Sequence, residues 1–329
     1  MNLASLIQGA AILQSGGLVA FPTETVYGLG ADATNAEAVQ KIFAVKGRPS
    51  TNPLICHVPD AHVAQRYARV WPPVASQLAA TFWPGPLTLV LPKAEDIPHD
   101  VTAGRDTVAL RAPNHPLTLM LLRILDRPLA GPSANKSSHV SPTTAQHVRD
   151  ELGGDVDMIL DGGSCDVGIE STVLDLSGPR PAILRPGGVT REQIEALIGP
   201  IDVFGGAVDP SVAAASPGQH ERHYAPRAPA FRFSREQLDG VLAAAQDAAH
   251  EPGILFFGST PHEAQDIPFR GLGETPQTPR EYAQVLYRLL REIDALQPDR
   301  IYIEMPPDEP QWTAVRDRII RATQPLPLP

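Results

Sequence analysis

A short apolar run that stops at a proline is the feature that most constrains this chain. Residues 17–21 are typical of a buried strand. Pro22 ends regular strand pairing because it has no backbone N–H to donate. Two threonines, a glutamate and a tyrosine then precede a Gly-x-Gly, in the stretch Pro22-Thr23-Glu24-Thr25-Val26-Tyr27-Gly28-Leu29-Gly30. So many hydrogen-bonding groups beside glycines indicate a functional loop in which Gly28 and Gly30 give the chain room to turn. A polar turn without function is the simpler alternative.

The length of the chain, 329 residues with 43% hydrophobic content, is enough for two domains with cores of their own. Strands and helices alternate up to residue 198, which predicts an α/β or α+β domain with mixed strand directions. A stretch rich in Gly, Ala and Pro follows, and a second α/β unit begins after it. We therefore predict a first domain over residues 1–203, a linker over 204–229 and a C-terminal domain over 230–329.

Hydrophobic periodicity predicts the individual elements. In the first domain we expect helices over 3–14, 35–45, 60–82 (as two), 116–125 and 191–198, and strands over 17–21, 52–58, 87–91, 107–111, 129–130, 158–160, 171–175 and 182–185. In the second we expect helices over 234–248, 279–296 and 312–323, and strands over 253–257 and 300–304.

Charge and cysteine content exclude several classes of protein. A net charge of −10 argues against a broad basic face for nucleic acid. The two cysteines, Cys56 and Cys165, form neither a disulfide framework nor a zinc pattern, which favours a reduced, cytosolic compartment. The N-terminus does not resemble a secretory signal, and no run of about 18 apolar residues predicts a membrane span.

Familiar nucleotide and nucleophile motifs fit the chain poorly. The run from Gly28 to Ala33 resembles G-x-G-x-x-A, but Pro22 interrupts the strand that should lead into it. Gly163 and Gly168 have P-loop spacing, but Ile169 stands where the lysine is needed. There is also no G-x-S-x-G nucleophile elbow. A nucleotide would have to be held in another way.

Cations and hydroxyls supply the remaining candidates. Lys46 and Arg48 flank a glycine at a helix end, either as a phosphate clamp or as a complement to the helix dipole. His57 lies in an apolar run and is either a packed core residue or a ligand. Arg111 ends a strand as a surface charge or a carboxylate-binding fork. Further polar groups follow a strand at Ser133 and Asn135 and begin a strand at Ser171, and Ser141 either belongs to the site or caps the next helix. The pattern suits two small polar substrates, one phosphorylated, and catalysis by positioning and charge stabilisation.

Seven ordered motifs carry a resemblance to a known family. They are Pro22 to Gly30, Lys46-Gly47-Arg48-Pro49, Asn52-Pro53-Leu54, Trp83-Pro84-Gly85-Pro86-Leu87-Thr88, Pro132-Ser133-Ala134-Asn135, Gly168-Ile169-Glu170-Ser171-Thr172 and Leu184-Arg185-Pro186-Gly187. Together they resemble the YrdC/Sua5 family of threonylcarbamoyl-AMP synthases. Residues 216–226 and the second α/β unit resemble the longer, Sua5-type members, although Gln219 stands where methionine is expected.

The resemblance implies a fold and a reaction. The fold would be a YrdC-like twisted mixed sheet with flanking helices, plus a smaller Rossmann-like C-terminal domain. The reaction would join L-threonine, bicarbonate or CO2, and ATP into threonylcarbamoyl-adenylate and pyrophosphate, with Mg²⁺ accompanying ATP and no metal ligand assigned to the protein. A separate transferase complex would use the product for the t6A modification of tRNA. The enzyme would be cytoplasmic, with no membrane association and weak or no direct tRNA binding.

The resemblance also implies a set of site residues. Lys46 and Arg48 are the expected catalytic, phosphate-holding pair. The expected threonine contacts are Thr23, His57, Arg111 and Ser171. The expected ATP contacts are Lys46, Arg48, Asn52, Thr107, Ser133, Asn135, Ser141, Arg185 and Tyr224, the last from a linker that folds over the site.

Two alternatives stay open at this point. One is an RNA-binding module of the same fold without adenylate-forming activity, against which the acidic net charge speaks. The other is carbamoyl transfer onto another protein, since similar domains occur in hydrogenase-maturation proteins. Those carry extra domains and cysteine-rich zinc motifs, which this chain lacks.

Overall fold

The computed structural model describes residues 3–204, 223–246 and 251–326 and divides into two compact units. The first comprises Met1–Ser137 and Ser141–Glu221, and the second Ser138–Val140 and Arg222–Pro329. The predicted linker falls largely outside the described residues, and so does Gln219. The exact domain boundaries at 203, 204, 229 and 230 stay a prediction.

A ten-stranded mixed sheet forms the centre of the first unit. Its strands in chain order are β1 (Val19–Phe21), β2 (Gly28–Asp32), β3 (Ile55–His57), β4 (Leu87–Pro92), β5 (Thr107–Arg111), β6 (Leu129–Ala130), β7 (Met158–Ile159), β8 (Thr172–Asp175), β9 (Ala182–Arg185) and β10 (Asp202–Val203). Their order across the sheet is β10-β9-β8-β4-β5-β3-β6-β2-β1-β7. The sheet contains both parallel pairs, such as β3 with β5, and antiparallel pairs, such as β4 with β5.

Helices accompany the sheet in the first unit. They are α1 (Leu3–Gln14), α2 (Ala36–Lys46), α3 (Ala61–Tyr67), α4 (Pro73–Phe82), α5 (His99–Thr102), α6 (Pro116–Leu125), α7 (Ala145–Leu152) and α8 (Arg191–Ile198). α2 shows how local chemistry sets the bounds of a helix. The Asn35 side chain accepts a hydrogen bond from the Ala38 N–H at its start, and Gly47 ends it in the left-handed conformation. The position of Lys46 in the last turn follows from these caps.

The central strands bury different side chains on their two faces, because successive residues of a strand alternate. One face contributes Cys56, Leu89, Leu91, Leu110 and other residues to the large core. The other face carries a small separate apolar cluster of Ile55, Val90, Ala109, Val173 and Leu184. His57 and Arg111 belong to that second face and are direct cross-strand partners. The polar side chains of His57 and Arg111 therefore lie on the same face of the sheet as this small apolar cluster.

A five-stranded parallel sheet forms the second unit. Its strands are β11 (Ala230–Phe233), β12 (Gly253–Phe257), β13 (Gly271–Thr275), β14 (Ile301–Glu304) and β15 (Gln324–Pro325), in the order β13-β12-β14-β11-β15. Its helices are α9 (Leu238–Ala245), α10 (Pro279–Ala295) and α11 (Thr313–Ala322). The predicted fold class, a mixed α/β sheet followed by a smaller α/β domain, is confirmed.

One element of the opening stretch contradicts the sequence interpretation. Gly28 and Gly30 were expected to let the chain turn, but they lie in β2, which pairs with β1 and β6. A Cβ on Gly28 would overlap the ring of Phe21, and one on Gly30 would crowd Leu129. The glycines therefore make room for side chains of neighbouring strands rather than for a turn.

Candidate active site

The opening stretch from Pro22 to Gly30 connects the loops that carry the predicted site residues. Its backbone makes hydrogen bonds from Tyr27 N to Pro142 O (2.9 Å), from Ala134 N to Tyr27 O (2.8 Å), from Leu29 N to Pro132 O (2.8 Å) and from Val167 N to Glu24 O (2.7 Å). The Tyr27 hydroxyl also donates to Gly163 O across 2.7 Å. Two loops, the one between β6 and α7 and the one between β7 and β8, are thereby fixed against one segment.

Thr23 uses its hydroxyl to shape the stretch itself. Its Oγ1 donates to Val26 O across 2.6 Å and accepts from the backbone N–H groups of Thr25 and Val26. The Thr25 hydroxyl lies 2.8 Å from that oxygen and also accepts from Arg111. Side-chain oxygens of this kind replace backbone partners in tight turns. Thr23 therefore stabilises the turn, and Thr25 presents the turn to Arg111.

The guanidinium of Arg111 is buried at the end of β5 and held from three directions. Nε donates to Gly85 O at 3.2 Å, and Nη1 donates to Thr25 Oγ1 at 2.9 Å. Nη2 forms an ion pair with Glu24 Oε2 at 2.8 Å. Among the described residues, no acceptor is aligned with the N–H bonds of Nη2. Arg111 is thus a fixed cation with donors still available for an anion.

His57 lies beside Arg111 on β3 and is buried. Burial, and secondarily the charge of Arg111, lowers its pKa from 6.5 to about 3, so the ring is neutral at physiological pH. Its ring meets Phe21 edge-on at 5.2 Å. Nδ1 has no hydrogen-bond partner within the part of the chain that the structure describes. A neutral ring with an unused nitrogen suits a hydrogen bond to a ligand.

Ser171 lies just before β8 within a buried polar group. Its hydroxyl is 2.8 Å from that of Thr88 on β4. Arg185 of β9 donates to the Ser171 carbonyl at 2.9 Å and to its hydroxyl at 3.2 Å. Arg185 therefore orients Ser171 by holding both of its oxygens. A nearby residue, Glu170, accepts a hydrogen bond from the Ser141 hydroxyl at 2.6 Å.

Lys46 brings a buried ammonium to the loop that follows β6. Its Nζ donates to the carbonyl of Ser133 at 2.6 Å and to that of Asn135. Burial is the main reason why its pKa lies well below the ordinary value of 10.5, and the charge of Arg48 lowers it further. An incoming anion would stabilise the charged form of Lys46.

Arg48 and Asn52 shape the loop after α2. Arg48 donates through Nε to Asn52 O at 3.1 Å and through Nη2 to Pro53 O at 2.8 Å. Asn52 is buried, and its Oδ1 has no hydrogen-bond partner among the residues described. The predicted phosphate-holding pair thus consists of one lysine bonded to the next loop and one arginine that closes its own.

Two predicted contacts, Thr107 and Tyr224, are not joined to these groups by any of the hydrogen bonds above. Thr107 begins β5 and Arg111 ends it, so they are roughly 13 Å apart along the strand. Tyr224 belongs to the second unit, where it is buried against Tyr287 with the Arg318 guanidinium 5.1 Å from its ring centre. Its role over a first-domain site stays a prediction.

The sequence analysis missed four residues of this site: Glu24, Thr25, Thr88 and Glu170. Glu24 and Glu170 stood inside the recognised motifs, and Glu24 was counted among the hydrogen-bonding groups of the opening stretch, but neither was assigned a role in the site. Thr88 and Ser171 are 83 positions apart, and only the pairing of β4 with β8 brings them together. In the described residues, no group of three or more His, Cys, Asp or Glu side chains is placed to hold a metal ion.

These groups are buried polar side chains at strand ends and in loops of the first unit. Lysine and arginine cations stand among buried hydroxyls, and the two cysteines are buried with their thiol pKa values raised by burial. Such a site can position anions and neutralise charge that develops between them.

Comparison with known proteins defines the class first. The Sua5–YciO–YrdC family model, described as "Telomere recombination", matches residues 11–187. The chain belongs to this family. Residues 189–324 match a second model, described as the C-terminal domain of threonylcarbamoyl-AMP synthase, as in the longer members.

Individual relatives extend the similarity over the whole chain. Threonylcarbamoyl-AMP synthase of Bacillus subtilis is 42% identical over 324 residues, covering 98% of this chain and 93% of the relative. The synthase of Pyrococcus abyssi is 41% identical over 324 residues, covering 95% and 92%. The crystal structure of P. abyssi Sua5 complexed with L-threonine matches with a TM-score of 0.91 at 38% identity, covering 98% of this chain and 95% of that one.

Within the described residues, none of the helices combines the length and apolar character needed to cross a membrane.

Proposed function

We propose that this protein synthesises L-threonylcarbamoyl-adenylate from L-threonine, bicarbonate or CO2, and ATP, as a nucleotidyltransferase that releases pyrophosphate. The observation that carries the proposal is the buried Arg111 with unused donors beside a neutral His57. A fixed guanidinium suits an amino-acid carboxylate, and relatives over nearly the full length are threonylcarbamoyl-AMP synthases. The P. abyssi relative has been solved with L-threonine.

In the proposed mechanism, Arg111 pairs with the carboxylate of threonine. His57 Nδ1 accepts a hydrogen bond from the substrate, and Thr23 and Ser171 line the same side. The neutral amine nitrogen of threonine adds to the carbon of CO2 and loses a proton to solvent water, which gives a carbamate. A carbamate oxygen attacks the α-phosphorus of ATP, and the bond to the β-phosphate oxygen breaks. Pyrophosphate leaves with the electron pair, so no enzyme nucleophile is required.

Lys46 and Arg48 neutralise the negative charge that develops on the leaving pyrophosphate. Phosphate oxygens would replace or supplement the carbonyl partners of Lys46, which stabilises its ammonium form. On the nucleotide side we propose Asn52, Thr107, Ser133, Asn135, Ser141, Arg185 and Tyr224. For Ser133, Asn135 and Ser141, support comes from the bonding of Lys46 to the Ser133–Asn135 loop and of Ser141 to Glu170.

Magnesium fits this scheme as a companion of ATP. In nucleotide sites Mg²⁺ commonly binds through substrate phosphates, one or two carboxylates and waters rather than in an all-protein cage. When bound, it would neutralise phosphate charge and orient the phosphates. The carboxylate bonded to Ser141, Glu170, is an oxygen donor of the appropriate kind.

We further propose a cytoplasmic enzyme that passes its product to a separate transferase complex for the t6A modification of tRNA. An adenylate is a reactive mixed anhydride, so a second enzyme must consume it soon after release. Cys56 and Cys165 are free in the structure, in keeping with a reducing compartment.

The decisive experiment is an amino-acid-dependent pyrophosphate assay. Purified protein with ATP, Mg²⁺ and labelled bicarbonate should release pyrophosphate when threonine is added, and label should enter an adenylate. Omission of bicarbonate should abolish both signals. Tight RNA binding without threonine-dependent pyrophosphate would instead favour an RNA-binding module of the same fold.

A further inference from the structure

Resting on the proposed function, we propose that Glu24 is a positioning residue that fixes Arg111 in one orientation toward the carboxylate of threonine. Glu24 lies in the opening stretch, and Arg111 ends β5, 87 positions later in the sequence. Their Oε2 and Nη2 atoms are 2.8 Å apart, and the two side chains are only 5% and 4% exposed. The pair is therefore shielded from the screening that weakens surface ion pairs.

The orientation of the guanidinium is set by three contacts on different atoms. Gly85 O holds Nε, Thr25 Oγ1 holds Nη1, and Glu24 Oε2 holds Nη2. The first two are neutral acceptors, so Glu24 supplies the only charge-compensating contact among these three. Two hydrogen bonds, at Nε and Nη1, together with the ion pair at Nη2 restrain the guanidinium from rotating about its long axis. It meets a carboxylate in one geometry, as bidentate recognition requires.

Glu24 is itself held in place on two sides. Its Oε2 also accepts from the Asn114 N–H at 3.0 Å, just beyond β5. Its backbone carbonyl accepts from Val167 N at 2.7 Å. The carboxylate is thus anchored to the same strand end as Arg111. Its second oxygen, Oε1, has no hydrogen-bond partner within the described ranges, so no other donor there draws the carboxylate away from Arg111.

Charge, and not only shape, is what this position requires. A glutamine has nearly the same size but would offer Arg111 either a neutral oxygen or an N–H₂ group that repels it. Arg111 would then be a buried cation without its counter-charge. It would recover stability by shifting toward other acceptors and would lose the orientation that the substrate carboxylate needs.

The test compares Glu24→Gln with the wild type by steady-state pyrophosphate release and by calorimetric titration of threonine in the absence of ATP. We expect the KM and the Kd for threonine to rise at least tenfold, while the KM for ATP stays within twofold. Glu24→Asp, which keeps the charge but shortens the reach, should recover part of the loss. A merely structural role would not separate the two substrates in this way.

Asp32→Asn is the matched control. Asp32 is another buried carboxylate of the first unit, and it pairs with Arg127 at 2.6 Å and with Thr34. Its loss should lower the melting temperature and leave both KM values within twofold. If Glu24→Gln leaves threonine binding unchanged, or raises both KM values equally, the positioning role is refuted. If the wild type itself binds threonine but releases no pyrophosphate, the proposed reaction fails while the binding titration still decides the role of Glu24.

Discussion

The ammonium group of Lys46 donates a hydrogen bond to the backbone carbonyl of Ser133 at 2.6 Å, which joins the last turn of α2 to the loop after β6. Lys41, one turn earlier on the same helix, donates to the carbonyl of Gly16 at 2.7 Å. The two lysines make the same kind of bond, but Lys46 is buried and Lys41 is exposed. The comparison separates a lysine at the proposed phosphate site from one that only ties a helix to a loop.

We predict that Lys46→Ala lowers kcat/KM for ATP at least tenfold, because a charged phosphate contact that acts in the transition state is lost. Lys41→Ala should stay within twofold of the wild type. Steady-state kinetics with saturating threonine measures both. Equal effects of the two substitutions would remove Lys46 from the phosphate site.

The lowered pKa of Lys46 predicts a pH dependence with a definite sign. Only the charged form attracts phosphate, and burial lets Lys46 lose its proton at a pH below the ordinary value of 10.5. The KM for ATP should therefore begin to rise at a lower pH than the ordinary pKa of a lysine would give. Lys46→Arg should flatten this rise, because arginine does not titrate there. If the KM for ATP rises with pH equally in the wild type and in Lys46→Arg, the titrating group is not Lys46.

His57 predicts a pH-dependent stability in the acid range. The unfolded chain takes up a proton near pH 6.5, whereas the folded protein does so only near pH 3, because burial disfavours the imidazolium. The effect of His57 on the free energy of unfolding is constant above pH 6.5. As the pH falls from 6.5 toward 3, the free energy of unfolding decreases progressively. The decrease amounts to roughly 4–5 kcal/mol over the whole window.

Urea unfolding between pH 4 and pH 7 checks this. The wild type should lose stability more steeply than His57→Gln as the pH decreases. The matched control is His62→Gln, because His62 is exposed on α3. Its profile should parallel that of the wild type. Parallel profiles for the wild type and His57→Gln would show that His57 is not the group responsible.

The sequence predicted many elements whose apolar residues follow a clear period, but it missed β11 and two strands that begin with a Gly-x-Gly. The helix over 3–14 and the strand over 107–111 are confirmed by α1 and β5. The strands Gly28–Asp32 and Gly271–Thr275 were not predicted, because glycine is unfavourable in strands unless a neighbour needs the space. At Gly28 that neighbour is the Phe21 ring, which no local pattern shows.

For the candidate site too, the sequence predicted what is local and missed what depends on the fold. The motifs supplied the cations and hydroxyls, because each lies in a short recognisable run. Their partners could not be predicted, because they depend on contacts between distant parts of the chain. Arg111 illustrates this. It was expected to bind a substrate carboxylate, and in the folded protein it also forms an ion pair with the carboxylate of Glu24. Long-range pairing of strands decides such contacts, and one sequence without its register does not contain them.

Ser141 and Glu170 provide the last prediction. The Ser141 hydroxyl donates to the Glu170 carboxylate at 2.6 Å, and both side chains are buried. If the carboxylate fixes the hydroxyl for ATP, removing either partner should raise the KM for ATP by a similar factor, about threefold to tenfold. Ser141→Ala combined with Glu170→Gln should then cost little more than either change alone, because both remove one shared interaction.

Ser138 offers a control, because it is a half-buried serine only three positions before Ser141. Ser138→Ala should leave the KM for ATP within twofold of the wild type. A double variant whose cost equals the sum of the two single costs would show that Ser141 and Glu170 act independently. In that case the carboxylate of Glu170 would contact the nucleotide or its magnesium by itself. The strength of the coupling therefore decides whether Glu170 acts on ATP through the Ser141 hydroxyl or through a contact of its own.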